Sequence, residues 1–430
     1  MTPGVSVANS PAVRIAVIGL GYVGLPLAVA FARHFPVVGF DIDKRRIGEL
    51  ARGHDRTGEI DSPMLKASTC RFTASSPDMT GCDLFVITVP TPVDEAQRPD
   101  LGAVRSAAEI VGRVLAKGAI VVLESTVAPG TTEEVCGPIL ARISGLASGK
   151  DFHLGYSPER INPGDREHTV ERITKVVAGD TPETARRLAE IYGAITSGGT
   201  FVARSIRTAE AAKVIENAQR DINIAFINEV ALIFERAGLS IHDVLDASAT
   251  KWNFLRFSPG LVGGHCIGVD PYYLAEFART QGYHPEIVLA GRRINDAMGD
   301  QVAGRIAAVH AKGGRALVLG FTFKENVPDL RNSKVIDVVR GLERRGFAVD
   351  VHDPFADAEE ARHHHAVLLL PDLETAQGYD VLVGAVGHRP YTAFTSADFH
   401  RLVRAGGLVA DLKGIWRKTE LPPSLARWQL

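Results

Sequence analysis

The chain has 430 residues, with 48 Lys and Arg against 50 Asp and Glu, too long for one core and suited to two or three domains. The balanced charge offers no basic stripe for nucleic acid. No apolar run approaches the roughly 20 residues that cross a bilayer, so no membrane partner is expected. The first residues, "MTPGVSVANSPAVR", lack the basic-then-apolar order of a signal peptide. The four cysteines form no CxxC pair. Neither a metal site nor a disulfide framework is expected, and a cytoplasmic protein with reduced thiols is.

The first elements read as a dinucleotide-binding fold. "VRIAVIGLGYVGLPLAVAFARHF" opens with an apolar strand, turns through Gly19, Gly21 and Gly24, and enters an Ala-rich helix. In such a turn the first glycine permits the tight bend, the second lets a pyrophosphate approach, and the third lets helix and strand pack closely. A second strand, "PVVGFDID", delivers Asp41 at 22 residues past Gly19, where an acid accepts ribose hydroxyls and repels a 2′-phosphate. NAD is therefore the expected cofactor, although Arg45 and Arg46 follow closely and blur the choice against NADP. Tyr22 and Val23 lie inside the motif. The strands in "CDLFVITVPTPV" and "AIVVLESTVAPGT" end in Thr/Pro-rich loops, which in a parallel sheet lie at the ligand-binding edge. Thr88, Thr91, Glu124, Ser125 and Thr126 are candidates there, or simple turn formers. "HLGYSPERINPG" adds a strand and Glu159.

The middle is helical. "TAEAAKVIENAQRDINIAFINEVALIFERAG" runs about thirty residues without Pro or internal Gly and stops at Gly238. Lys213 and Asn217 share one face, with Glu210 a turn earlier; from spacing alone the three could be a solvated face. A helix so long and so apolar can pack between domains or against a second subunit. Next, "GLVGGHCIGVDPYYL" sets Cys266 in an open stretch with Asp270 four residues on. The carboxyl-terminal third repeats strand, loop, helix, strand in "GRALVLGFTFKENVPDLRNSKVIDVVRGLERRGFAVDVHDP", without GxGxxG, and "YDVLVGAV" and "GGLVADLKG" add strands. Its first loop carries Lys324 and Arg331, suited to diphosphate oxygens. The expected architecture is α/β, two Rossmann-like doubly wound domains joined by a central long helix. The expected domains are 1–203 for NAD, 204–304 as a helical dimerisation region with the cysteine loop, and 305–430 for UDP.

Taken together, "GLGYVGLPLA", "VPTP", "ESTVAPGTT", the Lys213/Asn217 helix, "GGHCIGVDP" and "FKENVPDLRNS" resemble the UDP-sugar 6-dehydrogenase family, in the family's order and over most of the chain. "PGLVGGHCIGVDPYYL" is most similar to the branch that oxidises UDP-N-acetylglucosamine or UDP-N-acetylgalactosamine; UDP-glucose and UDP-N-acetylmannosamine are the alternatives. The resemblance implies that Cys266 is the nucleophile, surrounded by Lys213, Asn217 and Asp270. It implies that Glu159 sits near the sugar and assists the water step, and that Thr126 positions the reacting hydroxyl or its water. Lys324 would bind the substrate phosphates, residues 254–260 with Arg256 and Phe257 the uridine, and Gly263 the sugar. Arg331 would reach toward the cofactor, alongside Thr91 and Arg46. The family's cross-subunit arginine falls near Thr250 or Lys251, and neither is arginine. His265 is a loop residue or a neighbour of the N-acetyl group. A homodimer through the central helix is implied, as is supply of surface-polysaccharide precursors.

The implied chemistry explains the cysteine. Oxidation of a C6 alcohol to a carboxylate removes four electrons, and each NAD accepts one hydride. A thiolate captures the intermediate aldehyde as a thiohemiacetal, whose oxidation gives a thioester for water to hydrolyse. Lys213 and Asn217 would stabilise the oxyanions, and Asp270 would take a proton or polarise water. Two readings of other classes stay open from the residues: a two-electron dehydrogenase of the 3-hydroxyacid type, which needs no thiol, and a non-catalytic NAD-binding scaffold.

Overall fold

Short apolar runs between turn residues become buried strands. In the computed structural model, which describes residues 13–94, 96–160, 167, 169–264, 267–311 and 313–430, the first sheet contains β1 (Ile15–Ile18), β2 (Val37–Phe40), β3 (Arg71–Thr73), β4 (Leu84–Ile87), β5 (Ile120–Leu123), β6 (His153–Tyr156), β7 (Lys175–Gly179) and β8 (Thr200–Val202). Their order is β3-β2-β1-β4-β5-β6-β7-β8. Pairing is parallel, with Ile15 beside Val37 on one flank and Leu84 on the other, except that β6 and β7 run antiparallel. Side chains alternate between two apolar layers. Ala16 and Ile18 join one, Ile15 and Val17 the other. Burial on both faces is why this strand reads as continuous hydrophobic sequence. Each buried Ile or Val among them contributes on the order of 2 kcal/mol by leaving water.

The second sheet contains β9 (Gly314–Leu319), β10 (Phe347–His352), β11 (Tyr379–Gly384), β12 (Val403–Asp411) and β13 (Ala426–Gln429), all parallel, in the order β10-β9-β11-β12-β13. Again Ala316 and Val318 face one core, and Leu317 and Leu319 the other. The strand order reverses beside β1 in the first sheet and beside β9 in the second, and such switch points hold ligands.

The predicted long helix spans Ile206–Arg236 and ends before Gly238, whose φ of 70° closes it. The chain forms two compact units, Met1–Ile215 and Glu216–Leu430. The divide lies inside this helix, so the stretch expected as a separate region, 204–304, is shared between them. Four strands went unforeseen, namely β3, β7, β8 and β13. β3 and β8 have only three residues each, too few for a period to declare itself. β7 opens on a buried lysine, which breaks the apolar run.

Candidate active site

The glycine-rich turn is built from backbone requirements. Gly19 has φ of 94°, a region open to glycine. A Cβ on Gly24 would collide with the Gly19 carbonyl and Thr88 Oγ1, whereas one on Gly21 would meet nothing. The first fact explains how the helix Gly24–Ala32 comes so close to β1. The second leaves an open approach, with Tyr22 and Val23 half-buried beside it. Asp41, half-buried just past β2, accepts from the Leu20 amide at 2.8 Å and the Asp43 amide at 2.9 Å. A carboxylate has lone pairs to spare after two such bonds, as a ribose requires, so these residues fit NAD. Arg46 behaves otherwise. It is buried, its Nε donates to the Leu20 carbonyl at 2.9 Å, and it pairs with buried Asp55 at 2.7 Å. It braces the turn from within, while its Nη1 has no hydrogen-bond partner among the described residues.

At the carboxyl ends of β4 and β5 the hydroxyls divide. Thr88 donates to the Gly19 carbonyl at 2.7 Å, and Ser125 to the Val89 carbonyl at 2.6 Å, so both are committed to the frame. Thr91 and Thr126 are half-buried in the same pair of loops. Glu124 is fully buried with Lys175 at 3.0 Å, and the Tyr192 hydroxyl donates to it at 2.5 Å. Burial pushes the Glu124 carboxyl up, and the Lys175 ammonium opposes this. The same ammonium lies 3.9 Å from Glu159, which also accepts from the Arg160 amide at 2.6 Å. Lys175 and Tyr192 were missed from sequence. The one signal was a lysine heading an apolar strand.

The helix face carrying Glu210, Lys213 and Asn217 is not solvated; all three are buried. Glu210 accepts from the Gly130 and Thr132 amides at 2.5 and 2.9 Å and from Thr132 Oγ1 at 2.7 Å, fixing the "APGTT" loop. Burial pushes its carboxyl up to about 7 against the pull of those donors. Among the described residues no hydrogen bond or ion pair engages the Lys213 amine. Asn217 Nδ2 donates to Asp270 Oδ2 at 2.5 Å. Asp270 is buried and opens the helix Asp270–Thr280, where the N-terminal dipole favours a carboxylate.

His265 and Cys266 lie outside the described residues, as do residues 161–166. The other cysteines, Cys70, Cys82 and Cys136, are free and buried, which pushes their thiols up to about 12, 11 and 12. On the amino side of Cys266, Asn228 grips Gly260 twice, by Nδ2 to its carbonyl at 3.0 Å and by Oδ1 from its amide at 2.8 Å. Asn228 leads through Asn295 to Asp221, which pairs with buried Arg292 at 2.6 Å. No local spacing announces this network. A Cβ on Gly263 would fall 2.7 Å from the Asn332 carbonyl. That glycine is therefore required for packing on the 323–332 loop, whatever else approaches it.

Phe254 and Phe257 rest on a small core of Ile227, Ala231, Ile241 and Leu245, while Arg256 pairs with Asp246 at 2.7 Å on the surface and Lys251 is exposed. Lys324 is half-buried in the loop after β9. Arg331 is held by both oxygens of Asp329, at 3.0 and 2.8 Å, so any cofactor contact must compete with that pair. No described helix is long and apolar enough to cross a membrane, and among the described residues no group of His, Cys, Asp and Glu is arranged for a metal.

Three family models cover most of the chain. They are those of the UDP-glucose/GDP-mannose dehydrogenase family, with the NAD binding domain over 13–196, the central domain over 207–297 and the UDP binding domain over 317–418. A UDP-N-acetyl-D-glucosamine 6-dehydrogenase of Pseudomonas aeruginosa is 52% identical over 408 residues, covering 93% of this chain and 96% of that one. Protein CapL of Staphylococcus aureus is 49% identical, covering 97% and 99%. Among solved structures, a UDP-D-ManNAc dehydrogenase of Pyrococcus horikoshii superposes with a TM-score of 0.87 at 29% identity, covering 97% and 98%. The glycine turn, the acid after β2 and the two switch-point sheets thus occur in a chain matched over most of its length by one set of relatives, and the protein belongs to the UDP-glucose/GDP-mannose dehydrogenase family, as an NAD-dependent UDP-sugar dehydrogenase.

Proposed function

We propose that this chain oxidises the C6 hydroxyl of a UDP-N-acetylhexosamine, UDP-N-acetylglucosamine or UDP-N-acetylgalactosamine, to the carboxylate, through a thioester on Cys266. The observation that carries the site reading is the buried Asn217–Asp270 hydrogen bond, four residues past Cys266 and one helical turn from the uncommitted Lys213. The N-acetylhexosamine reading is supported by the names of the nearer relatives. NAD supplies the oxidising power, two molecules in succession each accepting one hydride from C6.

The chain's own residues do the rest. Gly19, Gly21, Gly24 and Asp41 hold the dinucleotide, with Tyr22, Val23, Thr91 and Thr126 along it. Lys324 neutralises the diphosphate, and residues 254–260 take the uridine. Lys213 draws the Cys266 proton balance toward thiolate, and with Asn217 donates to the oxygen on C6 once sulfur has added to the aldehyde. Asp270 receives or returns a proton beside them, and Glu159 orients the water that cleaves the thioester. Such proton transfers contribute roughly a hundred- to ten-thousand-fold each.

The three domains 1–203, 204–304 and 305–430, cytoplasmic location, and supply of precursors for a surface polysaccharide belong to the same reading. So does a homodimer through the long helix, supported by exposed Ile215, Phe226 and Ile233 along one of its faces. The test is NADH yield and product mass on UDP-glucose and the three UDP-N-acetylhexosamines. Two NADH per sugar, with an N-acetylhexosamine preferred, is the expected result; one NADH per sugar overturns it. Cys266→Ala should abolish acid formation with NAD affinity kept, and an active variant would favour the thiol-free chemistry.

A further inference from the structure

The loop after β9 holds its shape through a residue from a distant segment. His388 is fully buried. Its Nδ1 accepts from the Asn326 amide at 2.9 Å. An amide can only donate, so Nδ1 carries a lone pair and the ring proton sits on Nε2. That Nε2 lies 3.0 Å from Asp353 Oδ2 and 3.1 Å from Thr322 Oγ1. Thr322 Oγ1 in turn donates to the carbonyl of Lys324 at 3.0 Å. Asn326 stands at φ of 59° and accepts from the Arg389 amide at 3.0 Å, next to His388 in the chain. The imidazole is also capped by the Phe355 ring at 4.9 Å. Thr322, Lys324 and Asn326 are thus each within one or two hydrogen bonds of the same ring, and Lys324 lies in the middle.

We propose that His388 is a positioning residue for the UDP-sugar: it sets the conformation of loop 322–326, and so the affinity for the diphosphate that Lys324 meets. The assignment rests on the reading of Lys324 as a phosphate ligand. A ring held from both nitrogens is a directional strut, which bulk alone could not supply. Its two contacts separate by substitution. His388→Asn keeps an acceptor near Nδ1 for the Asn326 amide. His388→Gln keeps a donor near Nε2 for Asp353.

The experiment measures UDP and NAD affinity by calorimetry, with steady-state KM and kcat, on the full-length enzyme. His388→Ala should weaken UDP binding roughly ten-fold, as loss of a buried hydrogen bond implies. KM for the UDP-sugar should rise in step, with kcat and NAD affinity changed far less. His388→Asn should recover more UDP affinity than His388→Gln, while His388→Gln recovers more thermal stability. Should His388→Ala fail to fold, Thr322→Val, which removes the hydroxyl that links His388 Nε2 to the Lys324 carbonyl, should still weaken UDP several-fold. UDP affinity within two-fold of wild type in folded His388→Ala, or in Thr322→Val, overturns the proposal. Lys324→Ala separates the two claims. If it too binds UDP like wild type, the phosphate reading falls and the inference with it. If it weakens UDP while His388→Ala does not, only the inference falls.

Discussion

The two sheets begin with the same turn and use it differently. Gly19 and Gly320 both have φ of 94°. The amide of the next residue donates to an aspartate just past the second strand, Leu20 to Asp41 at 2.8 Å and Phe321 to Asp353 at 2.6 Å. Asp41 takes one further amide and stays half-buried. Asp353 takes the amides of Thr322, Phe355 and Ala356 and the His388 ring besides, and is 6% exposed. One acid keeps lone pairs to spare. The other has spent its capacity on its own chain. The second sheet retains the backbone device of a dinucleotide fold while the matching acid is saturated from within.

The sharpest way to break this contrast is to destroy one turn and spare the other. Gly24→Ala drives a methyl into the Gly19 carbonyl, and NAD binding should be lost in the calorimeter while UDP binding survives; equal loss of both would mean the turns are not independent. Next in size, Asp353→Ala strips the acceptor from four amides and a buried ring, and should cost roughly 3 kcal/mol or more in urea unfolding. Asp41→Ala should cost far less stability, but weaken NAD about ten- to hundred-fold with UDP affinity unchanged. A stability loss equal to that of Asp353→Ala would erase the distinction between ligand-facing and internal acid.

The smallest effect sharpens the comparison through pH. Burial works to raise Asp353, but the His388 and backbone donors outweigh it and hold the carboxyl at about 2, below its ordinary 3.8. Its contribution, on the order of 2 kcal/mol, is present above about pH 3.8 and lost as pH falls toward 2. Glu210 also accepts two amides, yet burial leaves it at about 7 against an ordinary 4.5. The folded state then holds a proton the unfolded state has released. Its contribution is full below about pH 4.5 and lost by pH 7, at most about 3 kcal/mol. Unfolding free energy should decline across that window, and Glu210→Gln should flatten the decline; an unchanged slope would place the proton elsewhere.

Much of the fold was legible because it is local. The strand-turn-helix of residues 15–32, the long helix and the strand pattern of the second sheet all follow from spacing that a short window contains. The face shared by Glu210, Lys213 and Asn217 was legible as a face, though its burial was not. Lys175 beneath Glu124, Asn228 on Gly260 and His388 under the Lys324 loop were not legible at all. Each joins residues 32 to 66 positions apart, and no periodicity encodes such a pairing. Arg46 shows the converse: its place in a motif suggested a ligand, and the bonds to Leu20 and Asp55 that tie it into the turn could not be read from that place.

The seam between the two compact units runs through an unbroken helix, between Ile215 and Glu216. A gene fragment ended there would leave Lys213 on one product and Asn217 on the other, each on a severed helical stub with several unpaired amides or carbonyls. Neither half could then be assayed as a simpler enzyme. Anyone wishing to study the NAD-binding or UDP-binding portion alone should trim outside residues 206–236, so that Lys213 and Asn217 stay together on whichever portion keeps the helix.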